Sequence, residues 1–573
     1  MTEKLAQKCS PIIRAPEHLL LMNKPLAILS TALLLSGFSN YASATTIGTG
    51  ETISITDPSL VGQNINFDST LTYVSTGTNA PYDTGAGLID LSPIGDSEYD
   101  FTSSLGTGAN QVQWTGSGGF TSENFSCNVN IGGLATPETL TWGVGGFVPF
   151  GSSLVLTTTE NNNPINFENN INLGTDASAT RQIDVGEGAY FSGQITGSGN
   201  LLLQDYGPAK GSNVLLRPDA ALDPTIDIAG ELTLNNVIIP LSGLVTAGSY
   251  NLTNGATLAT VVQGTANFTL SGGSVWAIPF GALPGFSSQT VGSLSSTDVN
   301  SLLDMEGTSS SELIVNSGYY AGHIIEGSPS DTPGVGGSLI KDGPGVFTLA
   351  NDNSGAGTPG ASGYTQGTTV KQGTLLVTNT TGSATGTGAV TVLSGGSLGG
   401  TGIIAPTGTN KIVVQSGGEV DMTAFDPAHP PTLTTNTLTF HLASTNSATF
   451  ATGASFVFDL GSGGASDELA FTGLTSGTPQ VFFNDNQVNL NFLSGPGPGT
   501  YTLFSFDQSD AYSGTLQNGS DYTFEYNPTD IMVLIAPEPS VWSLMLCGLL
   551  FLMMRSYKCF QTKCQCKNGT KNA

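Results

Sequence analysis

The sequence predicts an all-β chain: a right-handed parallel β-helix, or solenoid, with a C-terminal β cap and a single C-terminal transmembrane-like helix. Three observations predict it. Charge is sparse, since Asp, Glu, Lys and Arg make up 10% of 573 residues, against about 25% in an ordinary soluble domain. Glycine is abundant, at 76 residues, without the G-X-Y period of collagen. Apolar strands also recur at a steady spacing. TTVKQGTLLVTN (368–379), GAVTVLSGGSLGGTGII (388–404) and NKIVVQSGGEVDM (410–422) align Leu375, Leu398 and Val420. Those positions are 23 and 22 residues apart, within the range of about 20–50 that marks repeat folds. Stacked coils need no charge inside, glycine suits the corners, and Thr and Ser suit outward strand positions.

The chain divides in order into seven regions. Residues 1–44 read as a signal peptide region. Lys24 precedes the apolar run Leu26 to Leu35, and Ala42-Ser43-Ala44 is an A-x-A cleavage site. The run is too short to span a bilayer, and Met22 begins a compact signal and is the expected true start. Residues 45–110 form an N-terminal β region, 111–330 divergent β-helix repeats, 331–425 the clearest repeat, and 426–536 a C-terminal β region. Residues 537–558 form a sorting segment and 559–573 a tail. In the tail segment Pro537-Glu538-Pro539 is followed by the apolar run Val541 to Met554 and then by Arg555 and Lys558. The prolines keep the preceding chain extended, and the basic pair fits a cytoplasmic end.

Between Thr45 and Ala536 there are 6 basic and 40 acidic residues, a net charge of −34 against −28 for the whole chain. Such a body offers no basic groove for nucleic acid and is repelled by anionic lipid surfaces. Cysteine agrees with this division. Only Cys127 lies in the expected mature body, so no intramolecular disulfide forms there. Cys559, Cys564 and Cys566 lack the paired C-x-x-C framework and nearby His of a zinc site. His323, His429 and His441 show no ligand spacing.

Two families share these patterns. PEPSVWSLMLCGLLFLMMR resembles the PEP-CTERM sorting segment of Gram-negative bacteria. That resemblance implies recognition by an exosortase-type membrane protease, with Pro537, Glu538, Pro539 and Arg555 as sorting residues and with transient membrane insertion of the helix. This chain departs from the family by continuing from Cys559 to Ala573. The stretch 330–405 resembles the autotransporter-associated β-strand repeat. Leu339 to Gly345 matches its apolar-Lys-x-Gly-x-Gly strand, Asn351 to Ser354 its Asn-rich turn, Tyr364 to Thr369 its Tyr-x-x-Gly-Thr-Thr, and Gly373 to Leu375 its Gly-Thr-Leu. WTGSGGF at Trp114 and WGVGGF at Trp142 resemble the start of such regions. A larger repeat is also expected, aligning YFSGQITGSGNLLL from Tyr190 with YYAGHIIEG from Tyr319, so that Gly193 corresponds to Gly322. Only about 95 residues, 440–535, precede the PEP motif, too few for the membrane barrel of a true autotransporter.

The function expected from these readings is that of an exported structural protein of the cell surface or extracellular matrix, associated with exopolysaccharide. It lies in the inner membrane before sorting, then at the surface or outside. Three alternatives stand beside it: a glycan-binding adhesin, a polysaccharide-degrading β-helix enzyme, and an ice-binding protein. A glycosidase needs two carboxyl groups about 5–9 Å apart, and Asp421 with Asp426, or Asp467 with Glu468, are the nearest pairs by sequence. No residue is assigned a catalytic role. Thr434-Thr435 and Thr437-Leu438-Thr439 do not repeat at coil spacing, as an ice-binding face requires. No cofactor is expected beyond weak calcium binding at acidic turns. GSGGASDELAF, from Gly461, is a single copy of a nonapeptide-like pattern, and calcium rolls place ions between adjacent copies.

Overall fold

The computed structural model describes residues 43–75, 82–92, 99–158, 164–207, 212–216, 225–240, 244–260, 262, 264–279, 287–305, 311–326, 337–355, 363–425, 435–443, 445–493, 499–517, 522–535, 545–546 and 548–558. The chain is mostly β, and its long sheets are built of parallel strands, as in a solenoid. One sheet stacks Ser338–Lys341, Thr368–Val370, Val390–Val392, Lys411–Val414, Ser447–Phe450 and Val481–Phe482, each parallel to the next. A second stacks Val346–Leu349, Gly373–Val377, Gly396–Gly400, Glu419–Asp421, Ser455–Leu460 and Asn486–Phe492 in the same way. The positions aligned in sequence are direct partners, for Leu375 faces Leu398 and Leu398 faces Val420. All three are fully buried.

Coil length is not constant. Leu232 pairs with Tyr250, a coil of 18 residues, whereas Ile412 pairs with Ala448, a coil of 36. Strand register is what is conserved from coil to coil, because a shift by one residue would turn each inward column outward. The corners absorb the difference. Some are minimal: Glu187, at φ 61°, is the single residue between Thr180–Gly186 and Gly188–Phe191. Asn236, at φ 55°, plays the same part between Glu231–Asn235 and Val237–Ile239. Inward columns carry the core. Leu232, Tyr250 and Phe268 lie one above another, and the Phe268 ring stacks on Tyr250 at 4.4 Å and on Trp276 at 3.8 Å.

Buried amides join the corners of successive coils. Asn353 accepts from the Ile324 N–H at 2.8 Å and donates to the Ala384 carbonyl at 2.7 Å. It therefore ties the coil before it to the coil after it, which accounts for the Asn-rich turn at 351–354. Asn486 donates likewise to the Ala451 carbonyl at 2.8 Å.

The expected equivalence of Gly193 and Gly322 does not hold. Gly193 follows Gly188–Phe191, whereas Gly322 precedes His323–Ile325, and those two strands belong to the same sheet. The glycines therefore turn different corners. Each is required for its own close approach, since a Cβ would lie 2.3 Å from the Asn169 carbonyl oxygen at one and 2.4 Å from that of Ser301 at the other.

Two departures from parallel pairing matter. Near the C-terminal end, Gly499–Phe506 pairs antiparallel with Asp530–Ile535, which pairs antiparallel with Thr523–Asn527. Near the N-terminal end, Thr72–Val74 and Tyr82–Thr84 form an antiparallel hairpin that joins the parallel stack through a bridge between Asp83 and Tyr206.

The columns make a direct prediction. Leu398→Ala removes an inward side chain from the middle of a stack and should cost about 2–5 kcal/mol. Thr391→Ala, on the outward side of its strand, should cost less than about 0.5 kcal/mol. Urea unfolding midpoints measure both, and equal shifts would contradict the inward assignment of Leu398.

Candidate functional site

The sorting residues fall partly outside the described residues. Pro537, Glu538 and Pro539 lie there, as do Ala42, His429, Asp426 and Cys559 to Cys566. Ala44 is described: it heads the strand Ala44–Ile47 and pairs with Asn64. Arg555 lies on a helical stretch, 548–558, and is exposed. That helix carries uncovered apolar side chains. Leu549, Phe551, Leu552 and Met554 are 49%, 76%, 65% and 60% exposed. Among the described residues no helix is long and apolar enough to cross a membrane. At about 1.5 Å per residue, the helical stretch falls short of the roughly 30 Å hydrocarbon layer.

Of the carboxylate pairs suggested by sequence, Asp421 with Asp426 cannot be placed, because Asp426 lies outside the described residues, whereas Asp467 and Glu468 are both described. Asp467 and Glu468 are adjacent, and alternation along an extended chain sends their side chains to opposite faces. Asp467 is fully buried, its carboxylate accepting from the Asn436 N–H at 2.6 Å and the Asp459 N–H at 2.8 Å. Burial pushes it up to about 7, against those two hydrogen bonds, with the charges of Asp459 and Asp421 adding to the rise. Glu468 accepts from the Ser505 hydroxyl. The Asp421 carboxylate holds Thr423 through its N–H and hydroxyl at 3.0 and 2.7 Å. Among the described residues no group of three or more His, Cys, Asp and Glu side chains is arranged to hold a metal. His323 and His441 are far apart in the stack. His323 Nδ1 lies 3.0 Å from the Asp352 carbonyl oxygen, and His441 Nδ1 lies 3.0 Å from the Thr472 hydroxyl.

Among the described residues, Arg181 and Lys341 are fully buried basic side chains of the body, and both donate to carbonyl oxygens. Lys341 Nζ donates to the Gly343 carbonyl at 2.7 Å and to the Gln372 carbonyl, one coil away, at 2.8 Å. Burial lowers it to about 8, opposed by the charge of Asp342. This bridge gives a physical reason for the apolar-Lys-x-Gly-x-Gly pattern and for Gly373. A Cβ on Gly373, at φ 68°, would lie 2.3 Å from the Gly343 carbonyl oxygen and 2.9 Å from Lys341 Nζ. Arg181 donates to the Asp176 carbonyl at 2.8 Å and also to that of Ala179, and its guanidinium sits 5.0 Å above the Phe150 ring.

One polar constellation escaped sequence reasoning. Asp83, on the hairpin, lies beside Asp184, on the strand Thr180–Gly186, close enough for its charge to act on the Asp184 carboxyl. Gln182 Nε2 donates to both, at 2.6 Å to Asp83 and 2.9 Å to Asp184. Gln204 Nε2 adds a bond of 3.0 Å to Asp83. Burial first, and the neighbouring Asp83 charge second, hold the Asp184 carboxyl well above the usual range. The backbone seats the hairpin as well, with Gly207 N–H donating to the Asp83 carbonyl at 3.0 Å and Ala86 N–H to the Tyr206 hydroxyl at 3.0 Å. Beside this seat lies a cleft of about 410 Å³. Its walls are Ser, Thr and Gly from three successive coils, with Asp68, Tyr73, Asp83 and Gln182. Asp83 and Asp184 are 101 positions apart in the chain, and an Asp at an outward strand position ordinarily reads as solvated, so nothing local marked them.

No protein-family model matches the chain, and no curated protein matches it either.

Two pH-linked predictions follow from the buried groups. Asp467 titrates higher folded than its ordinary value of 3.8. The folded state then holds the extra proton, and stability falls as pH rises from about 4 through 7. Asp467→Asn should flatten that decline in a series of urea midpoints; an unchanged slope would refute the role of Asp467. Lys341 titrates lower folded, so between about 8 and 10.4 the unfolded chain holds the extra proton and stability rises with pH. Lys341→Met should abolish that rise and, by orphaning two buried carbonyls, cost roughly 1–3 kcal/mol at neutral pH.

Proposed function

We propose that this chain is an exported structural protein of the cell surface or extracellular matrix, sorted by an exosortase-type membrane protease and associated with exopolysaccharide. The observation that carries the reading is the uncovered apolar helix at 548–558, interrupted by Arg555 and Lys558. Exposed Leu, Phe and Met side chains on one short helix are unfavourable in water, at about 25 cal/mol per Å² of apolar surface. They are at home in lipid, and the basic pair suits the cytoplasmic boundary. With Val541 to Met554 counted from the sequence, the segment is a transmembrane-like helix for transient insertion, preceded by Pro537-Glu538-Pro539 as the recognition element.

The body is then a right-handed parallel β-helix. Parallel crossovers are right-handed in about 98% of cases, and the antiparallel strands Thr523–Asn527 and Asp530–Ile535 act as the C-terminal β cap. A cap protects the last coil from edge-to-edge association, which a secreted rod of stacked strands requires. The resemblance to the autotransporter-associated repeat is supported by the Lys341 bridge and the Asn353 tie, since each motif residue has a job between coils. The acidic body, of net charge −34, stays soluble by self-repulsion in a matrix.

Deleting Pro537 to Arg555 tests the sorting step. The shortened chain should move from the membrane and surface fractions to the periplasm or medium, detected by fractionation and immunoblot. Unchanged fractionation would refute the assignment.

A further inference from the structure

We propose that the cleft beneath the hairpin is a binding site for an uncharged segment of polysaccharide. The inference rests on the glycan association proposed above, and not on the sorting step. Its first support is construction. Among the described residues Thr72–Val74 and Tyr82–Thr84 pair as strands with each other, and the chain fastens them to the coils by a parallel bridge between Asp83 and Tyr206 and by a buried polar seat. Asp83, Gln182, Asp184 and Gln204 form that seat. A hairpin pinned this firmly over a polar surface makes a preorganised wall, which lowers the ordering penalty of binding.

The second support is the floor. Ser69 and Ser117 form an antiparallel bridge, with the Ser69 hydroxyl donating to the Ser117 carbonyl at 2.6 Å and accepting from the Gly87 N–H at 2.9 Å. The Ser117 hydroxyl accepts from the Ser153 N–H at 3.0 Å. Three coils are thereby locked into one surface, and about 410 Å³ lies above it, within the range of about 300–1,000 Å³ for small-ligand sites.

The third support is chemistry. Tyr73 lines the cleft and is 59% exposed. It is the register partner of Asp83, so both side chains leave the hairpin on the same face. An exposed aromatic ring beside carboxylate and amide groups matches a pyranose, which offers an apolar C–H face for stacking and hydroxyls for hydrogen bonds. Charge decides the class. Asp68 and Asp83 line the cleft, and among the described residues no Lys or Arg does, within a body of net charge −34. Uronates and sulfated sugars are repelled, and neutral hexose or pentose units are accepted.

The test uses the full-length protein in mild detergent, titrated calorimetrically with neutral gluco-, galacto- and xylo-oligosaccharides and with oligogalacturonate. At least one neutral oligosaccharide should bind saturably, and oligogalacturonate should not. Tyr73→Ala should weaken binding at least about tenfold. Thr70→Trp, at an exposed cleft position whose N–H rather than side chain bonds to Thr49, should fill the site and abolish binding. The β-type circular dichroism of both variants should match that of the parent. Neutral binding that survives both substitutions overturns the cleft while leaving glycan association standing. A preference for oligogalacturonate overturns the charge argument. No binding of any glycan overturns the cleft and the association together.

Discussion

Parallel register between successive coils is the constraint on which everything else depends. A coil has no core of its own; its inward side chains are buried only by the coil before and the coil after. Leu375, Leu398 and Val420 form one such column, and Leu232, Tyr250 and Phe268 another. Because side chains alternate, a slip of one residue would expose a whole column. The corners are under a weaker rule. They must return the chain to register, which a single left-handed residue such as Asn236 does and a long loop does equally well. Polar satisfaction at the corners falls to buried amides, Asn353 among them, that bond across coils rather than within one.

The same constraint governs the few buried charges. Among the described residues Lys341 is paired with no carboxylate inside the stack. It donates to carbonyls of two coils, which is how a desolvated ammonium is kept tolerable. Asp467 accepts from two backbone N–H groups, and Asp184 shares the Gln182 amide donor with Asp83. Each group holds two parts of the chain that are distant in sequence and adjacent in the stack. The linkage signs differ, but the physical cause is one: burial disfavours the charged form of each.

Much of this was legible in the sequence, and unevenly. The 22–23-residue spacing over 368–422 read the register directly, because there successive coils are nearly equal in length and the strands are β-branched. The 111–330 region was opaque, because coils of different length blur any fixed period. The alignment of Gly193 with Gly322 failed for a related reason. A glycine wherever backbones approach closely is a local demand met at more than one corner, so two similar stretches need not be equivalent turns. The sequence also pointed to the apolar C-terminal helix and its basic end. It did not point to the Asp83–Asp184 seat, since a contact between an inserted hairpin and a strand about one hundred residues later leaves no periodic trace. Asp467 and Glu468 are near in sequence alone, for neighbours on an extended chain face apart.

The most direct test of the stacked-coil account is a cysteine cross-link across one coil step. Thr369 and Thr391 are register partners on adjacent strands, about 4.8 Å apart, within the range a disulfide spans. Thr391 and Val413 are partners one step further on. In the protein carrying Thr369→Cys and Thr391→Cys, mild oxidation should form the intramolecular disulfide nearly completely, as read by peptide mass spectrometry. The protein carrying Thr369→Cys and Val413→Cys, two steps apart, should form almost none. Equal yields from the two pairs, or no bond in the first, would contradict the parallel register on which the account rests.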